Sequence, residues 1–128
     1  MKYIVLLGRV LYGWIFLISV PEDFKAGTIA LAAKQGVPFA NIAVPLAGIT
    51  ALLGSLSIIL GYKAKWGAWL LVLFLALVTP SMHKFWAVSD PMMAVIQKVS
   101  FMKNLSMLGA ALLIAYFGSG PLSLNNKA

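Results

Sequence analysis

Cysteine is absent from this chain of 128 residues, and histidine occurs once. The lack of cysteine excludes disulfides, iron–sulfur clusters, thiolate metal sites and cysteine nucleophiles. A haem held by two histidines of this chain is also excluded, because the chain has one histidine. No G-x-G-x-x-G segment follows a strand-like run, so the fingerprint of a dinucleotide site is also missing. The sequence therefore predicts no metal site and no tightly bound cofactor.

Charged residues are scarce as well, at 10% of the chain, whereas hydrophobic residues make up 62%. Soluble domains are usually about 45–50% apolar and about 25% charged. A soluble domain of this length leaves too much of its surface in water to hide so many apolar side chains. The composition therefore excludes a soluble enzyme, and it also excludes a disordered chain.

The scarce charges are mostly basic, with 10 Lys and Arg against 3 Asp and Glu and a net charge of +7. These basic residues stand singly at the ends of apolar runs and form no stripe interleaved with aromatic residues, as a nucleic-acid interface would require. Anionic lipid head groups are the expected partner, and no nucleic acid is expected.

Four stretches are long and apolar enough to cross a bilayer, which takes about 17–25 residues. They are residues 3–20, 42–61, 66–82 and 99–117. The sequence predicts an all-α integral membrane four-helix bundle in which residues 1–128 form a single domain. A signal peptide at the first stretch is disfavoured, because Arg9 interrupts it and no small-x-small cleavage site follows promptly.

The connections carry start and stop signals for helices. A short helix is expected from Phe24 to Gln35, with Gly36 and Pro38 ending it. Asp90-Pro91 is a good pair for the N-cap and first turn of the fourth long helix.

Four spans place both termini on one side of the membrane, together with the hairpin that carries Lys63 and Lys65. On that side lie Lys2 and Lys127 as well, while all three acidic residues lie on the other side. Short basic loops weigh most in the positive-inside rule, so we expect the termini in the cytoplasm.

Small residues recur where helices could touch. They are Ala43, Ala47, Ala51 and Gly54 in the second span, and Ser106, Gly109 and Ala110 in the fourth. Packing within one bundle explains them most simply, and a docking face for a partner subunit is the alternative.

Arg9 is the most costly residue to place in a membrane, at about 2.5–3.5 kcal/mol on insertion scales. It either reaches the head groups along the helix or points into the bundle, where it binds a ligand or a partner's acid. No acidic residue lies in any of the four spans, so we expect backbone carbonyls, Tyr12 or helix-end groups to satisfy it within the chain, or else a partner or a ligand.

A second polar group lies where the third span ends and the fourth begins. Its members are His83, Lys84, Trp86, Gln97, Lys103 and Asn104. Antiparallel neighbours bring these residues to one face of the membrane, which predicts a polar pocket at the mouth of the bundle. Three of them have a plainer explanation: His83 as a hydrogen-bonded anchor, Trp86 in the interfacial aromatic belt and Lys103 reaching for head groups. Asn104 is harder to explain in this way, because a side-chain amide in a span needs a partner, and the interior of the bundle supplies one. The candidate ligand-binding residues are Arg9, His83, Trp86, Lys103 and Asn104, and no catalytic residue is assigned.

Several blocks of the sequence resemble the DoxX family of membrane proteins. In chain order they are residues 8–19, 36–38, 47–61, 83–86, 101–105 and 118–124. The resemblance covers nearly the whole chain and implies a four-helix protein of the bacterial cytoplasmic membrane. This chain departs from the pattern of the family at Ala51, where many members carry Glu, and at Asn125, where Asp is expected. A proton-handling or Arg-pairing role of that Glu is therefore not transferred.

Some relatives in that family are subunits of thiosulfate:quinone oxidoreductase, and others belong to membrane redox or oxidative-stress assemblies. The resemblance thus implies an accessory or quinone-site subunit of a membrane oxidoreductase, with other membrane protein subunits as partners and an exchangeable quinone as ligand. His83, Lys103 and Asn104 are suitable donors to a quinone carbonyl. The alternative is a non-enzymatic scaffold or assembly factor. A transporter is disfavoured, because the spans show no repeat and few ionisable residues.

Overall fold

The structure, a computed structural model, describes residues 2–124 and contains only helices and loops in that part of the chain. The helices are α1 Lys2–Ser19, α2 Ala26–Lys34, α3 Ala40–Leu60, α4 Ala64–Met82 and α5 Pro91–Phe117. Two 3-10 helices, Val20–Phe24 and Phe85–Ala87, continue α1 and follow α4. Four of these segments are long and apolar enough to cross a membrane, which confirms the predicted fold class. The assignment of residues 1–128 to one domain stays a prediction.

The helix ends follow the local signals of the sequence. Gly36 adopts a φ of +93°, and the Val37 amide donates to the Ala32 carbonyl, which ends α2 in a Schellman motif. Gly61 ends α3 in the same way, with a φ of +69°. Asp90 is the residue before α5 and Pro91 its first residue, as expected, but the Asp90 side chain makes no capping hydrogen bond. Helix α5 therefore begins eight residues before the span that starts at residue 99, and its first turns extend the helix beyond the apolar stretch.

Helix α3 is central: it packs against α1 on one side and α4 on the other, and α4 in turn packs against α5. The buried core that joins the four long helices consists of Phe16, Ala51, Ile58, Ala64, Ala68, Leu71, Leu75, Ala111 and Ala115. Many large apolar side chains remain exposed on the outside of the bundle. In a protein that spans the membrane, lipid covers that surface.

Small residues set the closest helix approach, but they are only partly the expected ones. A Cβ added to Gly54 would lie 2.8 Å from the Gly67 carbonyl oxygen, so α3 and α4 meet almost backbone to backbone. Ala51 is also buried there. On α5 the residues in the core are Ala111 and Ala115, whereas Gly109 faces open space. Of the three small residues of α5 that we expected to pack, Ser106 and Gly109 are exposed and only Ala110 is half-buried.

Candidate functional site

One pocket of about 380 Å³ lies between α1, the end of α4 and the middle of α5. Its lining residues are Ile15, His83, Ser100, Lys103, Asn104, Ser106 and Met107. We call it the His83 pocket. The structure thus brings together three of the residues singled out in the sequence, from two helices that run in opposite directions. That they bind a ligand stays a prediction.

His83 is held in place by a side chain of α5. Its Nδ1 lies 2.7 Å from Oε1 of Gln97. An amide oxygen only accepts hydrogen bonds, so Nδ1 is the donor, and in a neutral ring Nε2 is left as an acceptor. Gln97 itself does not line the pocket; it orients the imidazole from one side.

Lys103 and Asn104 lie deeper in the membrane than this pair. Six residues of helix separate Lys103 from Gln97, which corresponds to about 9 Å along α5. Lys103 is exposed and Asn104 is half-buried. Within residues 2–124 neither side chain has a hydrogen-bond or ion-pair partner. The donors of both side chains are therefore unused in the part of the chain that the structure describes.

Trp86 does not line this pocket. Its ring packs edge-on against Phe85 and Phe101, with centroids 5.2 and 5.9 Å away, and its side chain is 60% exposed. The three rings form an aromatic cluster that joins the short helix Phe85–Ala87 to α5. This position fits an interfacial aromatic residue.

Lys84, the neighbour of His83, serves the fold at this end. Its Nζ donates to the Gln35 carbonyl at 2.7 Å, which fastens the loop after α4 to the end of α2. Its ammonium group therefore has a partner, unlike that of Lys103.

Arg9 lies at the opposite end of the bundle and is only 4% exposed. Its Nη1 donates to the carbonyls of Ser119 and Pro121 at 2.7 and 2.8 Å, and its Nη2 donates to that of Leu122 at 2.6 Å. The expectation that backbone carbonyls satisfy Arg9 within the chain is confirmed. Its Nε has no partner within residues 2–124.

The segment after α5, residues 118–124, closes this end of the bundle. Besides the bonds from Arg9, the Leu124 amide donates to the Leu60 carbonyl at 3.1 Å. A Cβ on Gly61 would collide with Ser123, so only glycine leaves room for the segment there. We call residues 118–124 the tail. Arg9 and the tail together form a closed structural contact at the end of the bundle opposite His83.

Tyr12 connects α1 to α5 between these two ends. Its hydroxyl donates to the Met107 carbonyl at 2.6 Å, and Met107 also lines the His83 pocket. The hydrogen bond therefore joins α1 to α5 at the edge of the pocket.

The family model for DoxX matches residues 4–84, which is more than half of the chain. The chain belongs to the DoxX family. It is 26% identical over 126 residues to the inner membrane protein YphA of Escherichia coli strain K12, an alignment that covers 97% of this chain and 89% of that protein. No solved structure matches the chain. The four apolar helices and this relative support a multi-pass location in the inner membrane.

Two positions differ from the pattern that the resemblance led us to expect. Ala51, where we expected Glu, is buried in the core with Phe16 and Ile58. A carboxyl at that position would lie among apolar side chains, which is costly without a partner. The second departure, Asn125, lies outside the described residues, as does Lys127. Within residues 2–124 no three His, Asp or Glu side chains come together to hold a metal ion.

Sequence reasoning predicted the kind of group that holds Arg9 but not which carbonyls supply it. The tail lies 110 residues or more away along the chain. Every residue has a backbone carbonyl, so the sequence does not indicate which carbonyls accept from Arg9. One signal was present: a Gly-Ser-Gly-Pro run follows the last helix on the same side of the membrane as Arg9. Such a run favours a tight loop with exposed carbonyls.

Proposed function

We propose that this DoxX-family protein is an accessory or quinone-site subunit of a membrane oxidoreductase assembly, and that the His83 pocket is where the quinone head group binds. The observation that carries the proposal is the meeting of His83, Lys103 and Asn104 around one pocket, with the donors of the last two unpartnered. The pocket lies between transmembrane helices, where a lipid-soluble molecule diffuses. Ligand sites between helices of a bundle commonly combine an apolar wall with a few polar groups in this way.

The polar groups of the pocket can form hydrogen bonds both to the oxidised quinone and to the reduced quinol. The Lys103 ammonium and the Asn104 amide donate hydrogen bonds to the carbonyl oxygens of a quinone, and Nε2 of His83 accepts a hydrogen bond from a hydroxyl of the quinol. Reduction of the quinone to the quinol takes up two electrons and two protons, and the protons come from water at this face of the membrane. In this proposal the electrons come from a cofactor held by a partner subunit, because the residues of this chain include no cysteine and one histidine.

Binding of a short-chain ubiquinone to the purified protein in detergent micelles tests the proposal. Lys103→Met keeps the length of the side chain and removes the donor, so we expect the affinity to fall about tenfold or more. Lys98→Met is the matched control, since Lys98 lies on the same helix, is also exposed and does not line the pocket. Equal affinity of all three proteins would refute the assignment of the pocket.

A non-enzymatic scaffold or assembly factor is the second candidate, and α5 favours it. Of its 27 residues only Ala111 and Ala115 are buried, so most of this helix is free to contact another membrane protein. Mild detergent extraction followed by identification of co-purifying subunits separates the candidates. Recovery with a quinone-linked dehydrogenase supports the first, and recovery with a complex that uses no quinone supports the second.

We further propose that both termini lie in the cytoplasm. The support is the hairpin between α3 and α4, which is short and carries Lys63 and Lys65. Reporter proteins fused after residue 128 and inserted within the loop at residues 88–90 should report opposite compartments, with the first in the cytoplasm. The reverse result would overturn this orientation.

A further inference from the structure

A second cavity, of about 360 Å³, lies on the other side of α4 and shares no residue with the His83 pocket. The 3-10 helix Val20–Phe24, α2, the loop after α2, α3 and α4 contribute the lining residues, which are Asp23, Thr28, Ala32, Val37, Pro38, Ala43, Val44, Ala47, Phe74, Leu77, Val78, Ser81 and Met82. On α4 the lining runs from Phe74 to Met82, about 12 Å of helix. The cavity therefore reaches from the level of α2 well into the apolar part of the bundle.

The wall is almost entirely apolar, and Asp23 is its one ionisable group. The carboxyl group is half-buried, and within residues 2–124 it has no ion-pair or hydrogen-bond partner. The neighbouring Glu22 differs, because Lys25 pairs with it at 2.8 Å on the surface. A carboxylate that leaves water without a partner is costly, so an occupant that supplies a positive donor would be strongly favoured.

Gly48 makes the room for this carboxyl group. A Cβ at that position would lie 2.8 Å from the Cβ of Asp23 and 3.1 Å from its Oδ2. The side chain of Asp23 is thus pressed against the backbone of α3, beside the lining residues Ala47 and Val44. Its position is set by packing and not by a polar contact.

The remaining polar groups of the wall also favour an occupant that donates hydrogen bonds. The Ser81 hydroxyl donates to the Leu77 carbonyl at 2.7 Å, which leaves its oxygen to accept. The Thr28 hydroxyl both donates and accepts, and no Lys, Arg or His lines the cavity. The polar part of the wall is therefore rich in acceptors and negatively charged.

We propose that this cavity binds an amphiphile with a primary ammonium group, whose nitrogen donates to Asp23 while its apolar chain lies along Ala47, Phe74 and Val78. Two sources supply that chemistry in a bacterial membrane: an ethanolamine phospholipid and a free long-chain amine. The ammonium supplies the charge that Asp23 lacks, and the chain replaces empty space against the apolar wall. This proposal is independent of the quinone function proposed for the His83 pocket.

Native mass spectrometry of the full chain in a non-ionic detergent tests the proposal, with phosphatidylethanolamine, phosphatidylcholine and dodecylamine as the probes. Phosphatidylcholine keeps the charge and the chains but has no N–H donor. We expect the wild-type protein to retain phosphatidylethanolamine about tenfold better than phosphatidylcholine. Equal retention of the two phospholipids by the wild-type protein would overturn the proposal unless dodecylamine binds in an Asp23-dependent manner, which would identify the free amine as the source.

Variants assign the binding to the cavity. Asp23→Asn keeps the shape and removes the charge, and it should lower retention of the amine ligand about tenfold. Glu22→Gln makes the same change one residue away, outside the cavity, and should leave retention as in the wild type. Ala47→Leu fills the cavity without touching the charge and should also abolish retention. Wild-type retention in both Asp23→Asn and Ala47→Leu would overturn the proposal, whatever the effect of either change on stability.

Discussion

The two ends of the bundle differ in whether a cationic side chain within a span has hydrogen-bond partners. Arg9 at one end is almost fully buried and donates to three carbonyls of the tail. Lys103, towards the other end, is exposed within the span and has no partner in residues 2–124. A cation whose donors are used by the chain itself holds the fold together. A cation whose donors are free costs stability, and it is the better candidate for contact with a ligand or a partner.

The chemistry of the two side chains fits this division. A guanidinium group presents five donors in a rigid plane and stays charged even when buried, so one Arg can hold several carbonyls of a loop. An ammonium group at the end of a flexible chain is suited to a ligand that binds reversibly. Replacing residues at each end should therefore affect stability very differently.

Arg9→Met should have the largest effect. The change removes three charge-assisted hydrogen bonds and leaves the tail carbonyls without donors, so the free energy of unfolding in detergent should fall by about 3 kcal/mol or more. Tail cleavage by added protease should also become faster. Lys2→Met is the control, since it removes an exposed cation at the same end. Wild-type stability of Arg9→Met would mean that the tail contact contributes nothing.

Gly61→Ala should have the next largest effect. Gly61 has a φ of +69°, and an added Cβ would collide with Ser123 of the tail. The backbone conformation alone costs a non-glycine residue about 1–2 kcal/mol. Gly8→Ala, in α1 with open space around its Cβ, should be neutral or slightly stabilising. Thermal unfolding of the two variants side by side checks the difference, and equal midpoints would contradict it.

Tyr12→Phe tests the contact between α1 and α5, which lies midway between the two ends of the bundle. The change removes the hydrogen bond from the Tyr12 hydroxyl to the Met107 carbonyl and keeps the ring, which packs against Phe16. We expect a loss of about 1 kcal/mol in unfolding free energy. The two helices should also separate more readily, which the yield of a cysteine cross-link introduced between α1 and α5 measures. An unchanged yield would show that other contacts hold them.

Lys103→Met should have the smallest effect on stability, or even raise it. Removal of an unpaired charge from a membrane span eases insertion, by up to about 2.5–3.5 kcal/mol for a charge at the centre. The expression level in the membrane and the unfolding midpoint should match or exceed those of the wild type. A loss of stability as large as that of Arg9→Met would remove the distinction between the two ends.

The sequence by itself determined the four helices and much of their order. Apolar runs of this length can satisfy their backbone groups in a membrane only as helices, and Gly36, Gly61 and Asp90-Pro91 mark their ends from local chemistry. Antiparallel topology then brings His83 near Lys103 and Asn104, because the end of one span must meet the start of the next. These conclusions rest on length and local conformation, which a sequence records directly.

Only the tertiary structure decided which face of each helix turns inward. The spans are apolar all round, so no amphipathic period tells a core position from a lipid-facing one. The rotation of α5 placed Ala111 in the core and Gly109 outside, and the packing of α3 brought Gly48 against Asp23. Tertiary packing also allowed Arg9 to reach the tail, since the carbonyls that hold it belong to every residue type and are therefore invisible in the sequence.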